Sequence, residues 1–230
     1  MSSTLINTKI KESLKTKVLE KKNLSKHFYL YKTLLGNKLR FTNPESYEYI
    51  KGLTFTNNTF FDLKKSLILF KRALTFMRLI KKRNGNILFI GTRYDLKKII
   101  KKLGFETGFS YINHRWVKGF LTNWENTSNS IKFYNLFLKK LDMRSKKKKK
   151  MEKSFLGVKN MTKLPDAIFL FDLNNDRDIL NEAKSLNIPI IAIIDTNTSL
   201  KKIDYPIPGN SESLLSIIFY TNIIVSSLKL

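Results

Sequence analysis

Cysteine is absent from this chain, which excludes disulfides and thiolate metal sites. Histidine is almost as scarce: His27 and His114 stand far apart with no partner at ligand spacing, so no metal centre and no cofactor are expected. Long apolar runs are also missing. No stretch of about 18 uncharged apolar residues occurs, the best candidates being broken by Asp195 or by Thr221 and Asn222, and no membrane span is expected. Residues 1–26 contain Glu12 and Glu20 and lack the apolar core of a signal peptide, so they read neither as a secretory leader nor as a good transit peptide. Alanine (Ala73, Ala167, Ala183, Ala192) and valine (Val18, Val117, Val158, Val225) are scarce beside abundant Lys, Asn, Ile, Phe and Leu. An AT-rich genome writes such a bias, and small organelle genomes are often of that kind.

The most telling shortage is of negative charge. Against 43 Lys+Arg there are only 18 Asp+Glu in 230 residues, a net charge of +25. Self-repulsion on that scale points to a polyanion as the working environment. The charge is lopsided: residues 1–164 hold 38 basic and 10 acidic side chains, residues 165–213 hold 4 and 8. A surface kept basic only for solubility would spread its charge evenly; this chain reads as cationic on one side.

With 42% hydrophobic residues the chain can fill one sizeable core. Asp62 is a candidate N-cap for a helix with Leu63, Leu67, Phe70, Leu74 and Met77 on one face, ended by Asn84-Gly85. The uncharged run Ile87-Leu88-Phe89-Ile90 predicts a strand, Gly91-Thr92-Arg93 a turn, and Leu96, Ile99, Ile100 and Leu103 a helix closed by Gly104. Ser110-Tyr111-Ile112 supplies the next strand. Thr122 and Glu125 form a capping box before a helix carrying Ile131, Tyr134, Leu138 and Leu141, which runs into Arg144 and five consecutive lysines. Two further uncharged runs, 167–171 and 190–194, end at Asp172 and Asp195 and flank a helix with Ile179, Leu180, Ala183 and Leu186. A proline-rich connection, Tyr205-Pro206-Ile207-Pro208-Gly209, leads to a last helix with Leu214, Ile217, Ile218, Thr221, Val225 and Leu228. Alternation of this kind predicts an α/β fold, a three-layer sandwich around a parallel sheet. Residues 1–34 read as a basic extension and helix, 35–121 as the first part of the α/β domain, 122–154 as a helical hairpin with a lysine-rich tip, and 155–230 as the second part.

No reaction centre assembles from these residues. Gly91 stands alone where a dinucleotide fingerprint needs three glycines, and it reads as a residue that lets the chain turn. Asp172 and Asp195 share the sheet's carboxyl edge, where paired carboxylates can act as acid and base or hold magnesium; each can equally cap the loop that follows. What remains is a binding surface. Arg115, Trp116 and Lys118 combine guanidinium, indole and ammonium groups suited to phosphate contact and base stacking, although Trp116 can equally anchor the core. Lys146, Lys147, Lys148, Lys149 and Lys150 suit phosphate contact without fixed geometry, or form a solvated lysine tract.

Several strings resemble one family. Asn113-His114-Arg115-Trp116-Val117-Lys118-Gly119-Phe120-Leu121-Thr122-Asn123 is similar to its N-x-R-W-x-G-G-x-L-T-N motif, with Lys118 in place of one glycine. Gly157-Val158-Lys159-Asn160-Met161, Leu164-Pro165-Asp166-Ala167, the run from Ile188-Pro189 to Asp195-Thr196-Asn197, and Ile203-Asp204-Tyr205-Pro206-Ile207-Pro208-Gly209-Asn210 follow in the family's order. Together, from about Leu35 to the carboxyl end, they resemble small-subunit ribosomal protein two, of bacterial and organellar type. The resemblance implies a flavodoxin-like (Rossmann-like) sheet with a projecting helical hairpin, here shortened. It implies a non-enzymatic constituent of the small ribosomal subunit that binds small-subunit rRNA and neighbouring ribosomal proteins, with no small-molecule substrate. For an organelle-encoded chain the compartment would be the mitochondrion, the plastid second. Lys38, Arg40, Arg93 and Lys159, within or beside these motifs, join Arg115, Trp116, Lys118 and the five lysines as candidate rRNA-binding residues. Two rivals remain: a methyltransferase-like RNA-modifying enzyme using the Gly91 turn, and a free-standing RNA-binding factor. If the lysine tract touches RNA, replacing residues 146–150 with serine lowers the slope of log affinity against log salt by about 0.7 to 0.9 for each phosphate that is no longer neutralised. An unchanged slope in a salt titration means that the tract touches none.

Overall fold

A computed structural model describes residues 27–139, 146–173, 177–200 and 202–229, together with all side chains of these segments except those of 137–139, 146–150 and 177. The expectations for residues 1–26 and for Arg144 fall outside the described residues.

Five parallel strands form the centre: β4 (Ile87–Ile90), β5 (Ser110–Ile112), β6 (Ala167–Leu170), β7 (Ile190–Ile194) and β8 (Tyr205–Pro208), in the order β5-β4-β6-β7-β8. This is the flavodoxin-like order. Every residue of β4, β6 and β7 is buried, as their uncharged runs require of strands covered on both faces. Alternation sorts the side chains. Ile87, Phe89, Phe169, Ile191 and Ile193 face one hydrophobic cluster, Leu88, Ile90, Ile168, Leu170 and Ala192 the other. The first cluster is covered by helices α1 (Leu63–Lys82), α2 (Lys97–Thr107) and α6 (Leu214–Lys229). The second is covered by α5 (Arg177–Ser185), by the segment 116–121 and by Ile131 of α3 (Trp124–Lys139). A further helix, α4 (Lys146–Phe155), packs against α3.

Local chemistry explains the element ends. Asp62 caps α1, its Oδ1 accepting from the Lys64 amide at 2.8 Å. Helix α2 does not close at Gly104 but runs to Thr107 and ends at Gly108, whose φ of +78° a side chain would disfavour. Gly104 is small for another reason: a Cβ there would lie 2.2 Å from the Tyr111 ring. Helix α3 starts at Trp124, so Thr122 lies one residue before the cap position that the expected capping box gives it.

Two departures from the sequence reading matter for function. The proline-rich connection is itself an edge strand, β8. Gly209 donates to the Ile194 carbonyl at 3.0 Å, so Tyr205 and Ile207, in step with it, face β7, while Pro206 and Pro208 turn their nitrogens outward. The second departure is a small antiparallel sheet, order β1-β3-β2, from β1 (Leu35–Lys38), β2 (Ile50–Leu53) and β3 (Asn58–Phe61). It sits on the carboxyl end of β7: the Asn37 amide donates to Thr196 Oγ1 at 3.0 Å and the Asn43 amide to the Thr196 carbonyl at 2.7 Å. A Cβ on Gly36 would meet Thr59 and Thr196 within 3 Å.

Among the described residues no helix is long and apolar enough to cross a membrane. Helix α6 is buried on more than one side, with Ile217, Phe219, Tyr220, Ile223, Ile224 and Leu228 in the core and Ile218 only half-buried. Ile217→Asp is therefore expected to cost more than about 4 kcal/mol and to abolish the cooperative unfolding transition. Ile218→Asp retains a transition at lower denaturant; equal effects in a urea melt would contradict this placement of the helix.

Candidate nucleic-acid interface

Since the small sheet covers the carboxyl end of β7, the open part of the sheet's carboxyl edge lies beyond β4, β5 and β6. The sheet order reverses there: the chain leaves β4 for β5 through α2 on one face, and leaves β6 for β7 through α5 on the other. Ligands of open α/β sheets sit at such a point. It is occupied here by a cleft of about 700 Å³. Thr92, Arg93 and Lys97 line it from behind β4, Arg115, Trp116 and Lys118 from behind β5. The first turn of α5 closes it with Asp178 and Ile179.

Four of the expected residues thus meet in one place, in different roles. Arg93 is engaged within the fold: Nε and Nη2 bond Asp95 at 2.7 and 2.8 Å, and Nη1 and Nη2 reach the carbonyls of Ser211 and Glu212 at 2.9 and 3.0 Å. Its hydrogen bond to Asp95 raises its pKa and lowers that of Asp95. Trp116 is the core anchor of its two readings. It is only 8% exposed, packs on Phe120 at 5.1 Å between ring centroids, and donates Nε1 to Glu182 at 2.9 Å, so its face is not free to stack on a base. Lys118 points outward, 79% exposed, with Asp178 at 3.0 Å. Arg115 is exposed and has no hydrogen bond or ion pair among the described residues.

The remaining candidates lie elsewhere. Lys38 and Arg40 border a groove beside β1 with Thr56 and Asn57, where the Arg40 guanidinium lies 4.5 Å from the Phe41 ring. Lys159 borders a shallow depression with Gly157 and Tyr111. The five lysines open α4, and their side chains lie outside the described residues.

Sequence reasoning missed two residues. Lys97, in the first turn of α2, sets a cation against the helix macrodipole, a local conflict that can be seen in the sequence once the helix start is known. Its ammonium lies over the Tyr94 ring at 4.4 Å. Burial, and after it the charges of Lys97 and Lys153, push the His114 pKa down. Glu182 on α5 accepts three hydrogen bonds from the loop after β5: Trp116 Nε1 and the Gly119 amide at 2.9 Å, and the Leu121 amide at 3.0 Å. Those partners are more than sixty positions away in the chain, beyond any local signal. The loop's other end is held by Asn113, whose Nδ2 donates to the Lys97 carbonyl at 2.9 Å. Within the loop only Gly119 adopts a left-handed φ, +82°, so a lysine at position 118 brings no backbone strain.

Gly91 is not a conformational hinge. Its φ is not left-handed, and a Cβ would fall 2.9 Å from Ile100, so α2 itself fills the space that a pyrophosphate-binding glycine must leave open. Asp172 and Asp195 do lie on neighbouring strand ends, both buried. Asp195 Oδ1 accepts from the Thr196 amide at 2.7 Å, a local turn contact. No cluster of three or more His, Cys, Asp or Glu that could hold a metal ion occurs among the described residues.

The ribosomal protein S2 family profile matches residues 31–229. The small ribosomal subunit protein uS2 of Anaplasma phagocytophilum is 38% identical over 199 residues, 81% of this chain and 67% of that protein. Its counterpart in Ehrlichia ruminantium is 40% identical over 82% of this chain and 70% of its own. In Tolumonas auensis the figures are 33%, 84% and 85%. The chain spans about two thirds of the length of its Anaplasma relatives, 61% in Anaplasma marginale. An α/β sheet in flavodoxin order carries a basic cleft at its switch point. The chain belongs to the ribosomal protein S2 family.

Burial pushes the Asp195 carboxyl up to about 6 from 3.8. A raised carboxyl pKa means that the folded state holds a proton the unfolded state releases, so this contribution is full below the unfolded pKa and is lost as pH rises through 6. Relative to wild type, Asp195→Asn should therefore gain about 2–3 kcal/mol between about pH 4 and pH 7.5. Urea unfolding across that range checks it; a constant difference would refute it.

Proposed function

We propose that this chain is a structural, non-catalytic constituent of the small subunit of a mitochondrial ribosome, bound to small-subunit rRNA and to neighbouring ribosomal proteins. Membership of the S2 family carries the reading, since its relatives bear the name small ribosomal subunit protein. The +25 charge, concentrated outside residues 165–213, supports a polyanionic surrounding on one side of the molecule. Two observations favour the mitochondrion: the residue bias of the kind that an AT-rich genome writes, and the higher identity to the alphaproteobacterial relatives, 38–40%, than to the Tolumonas one, 33%. The methyltransferase reading loses its glycine to Ile100. Sedimentation separates the ribosomal reading from that of a free RNA-binding factor. The chain is expected to stay with isolated mitochondrial small subunits through a high-salt wash, and its release into the soluble fraction would refute the proposal.

A further inference from the structure

We infer that the switch-point cleft is a phosphate clamp for a polynucleotide, in which Arg115 and Lys97 hold a backbone phosphate and Glu182 fixes the loop that presents Arg115. The inference rests on the ribosomal reading for the presence of RNA and adds where a phosphate sits and what shapes its seat.

The cleft's cations divide by what already occupies them. Arg93 spends its donors on Asp95, Ser211 and Glu212. Lys118 has an exposed, readily exchanged partner in Asp178. Among the described residues the Lys97 ammonium meets only the Tyr94 ring, and Arg115 has no polar partner. Two cations brought together from behind adjacent strands therefore keep their donors for an outside anion, and one is a guanidinium, whose planar fork matches phosphate oxygens. The surface favours a repeating anion over an isolated one. Helix α4 opens with five consecutive lysines and the whole chain carries +25, a surplus that a single isolated anion would not answer.

Glu182 is a positioning residue. It reaches no ligand; it gathers the Trp116 indole and two loop amides onto one carboxylate, while Asn113 ties the loop's start to the carbonyl of Lys97. One loop is thereby bonded both to the residue that supplies the second cation and to α5, and Arg115 lies between those ties.

A carboxylate beside an RNA site gives this idea a test of sign. By charge alone, removing Glu182 should strengthen binding to RNA; as a loop holder, its removal should weaken it. The full chain would be titrated with a fluorescent oligouridylate over a salt series. Lys97→Gln with Arg115→Gln, at one half-buried and one exposed position outside the core, should lower the slope of log affinity against log salt by about 0.7, one single-strand phosphate. Glu182→Gln cannot accept all three bonds as the carboxylate does and should weaken binding by about threefold or more. Glu182→Asp, which keeps the charge but withdraws it by one methylene, should weaken binding too and stands in if the glutamine variant does not fold. Tighter binding by Glu182→Gln overturns the positioning role, and an unchanged slope in the double variant overturns the clamp while leaving the ribosomal assignment intact. Saturable binding of AMP that the double variant abolishes would make the cleft a free-nucleotide site and overturn the polynucleotide reading. Failure of the wild-type chain to bind RNA at all would instead overturn the proposed function itself.

Discussion

Burial of the central strands on both faces is the constraint from which the rest follows. With every side chain of β4, β6 and β7 packed into one of two hydrophobic clusters, these strands have no surface to offer a ligand. Recognition is forced to their ends and to the loops beyond them. At the carboxyl edge the β1-β3-β2 sheet takes the end of β7 through Thr196, and what stays open is the cleft between α2 and α5. The cationic character of that opening is thus a product of topology as much as of composition: residues 93, 97, 115 and 118 are scattered in the chain and meet because their strands are neighbours.

What could be read from the sequence was whatever local physics determines. The uncharged runs had to be strands covered on both sides, and they are; Asp62 before an apolar face had to be an N-cap, and it is. The sheet order also agrees with the flavodoxin-like fold that the family motifs implied. What stayed hidden depends on distant partners. The small sheet consists of four-residue strands, two of them interrupted by Gly36 and Gly52, and it is held by Thr196 from the far half of the chain. The prolines of β8 argue against a strand until it is seen to lie at an edge. Trp116 was ambiguous for the same reason: an indole can stack or pack, and the decision belongs to Glu182.

The site was legible in outline only. Composition announced a polyanion, and the motif after β5 marked a loop, yet neither could distinguish Arg93, tied down by Asp95 and two carbonyls, from Arg115, which has no polar partner among the described residues. Counting positive residues overstates a binding surface whenever part of the charge is already used to close the fold. The same accounting shows why Lys118 could replace a motif glycine: the left-handed turn belongs to Gly119, and position 118 was free to accept a side chain.

The outer margin of β8 has a consequence for a chain that must fold amid many others. A bare sheet border is a template on which a stranger's extended segment can add itself. Pro206 and Pro208 present no amide hydrogens along that border, so a would-be sixth strand finds acceptors but no donors there. Growth of the sheet stops by covalent chemistry, before any neighbour arrives to shield it.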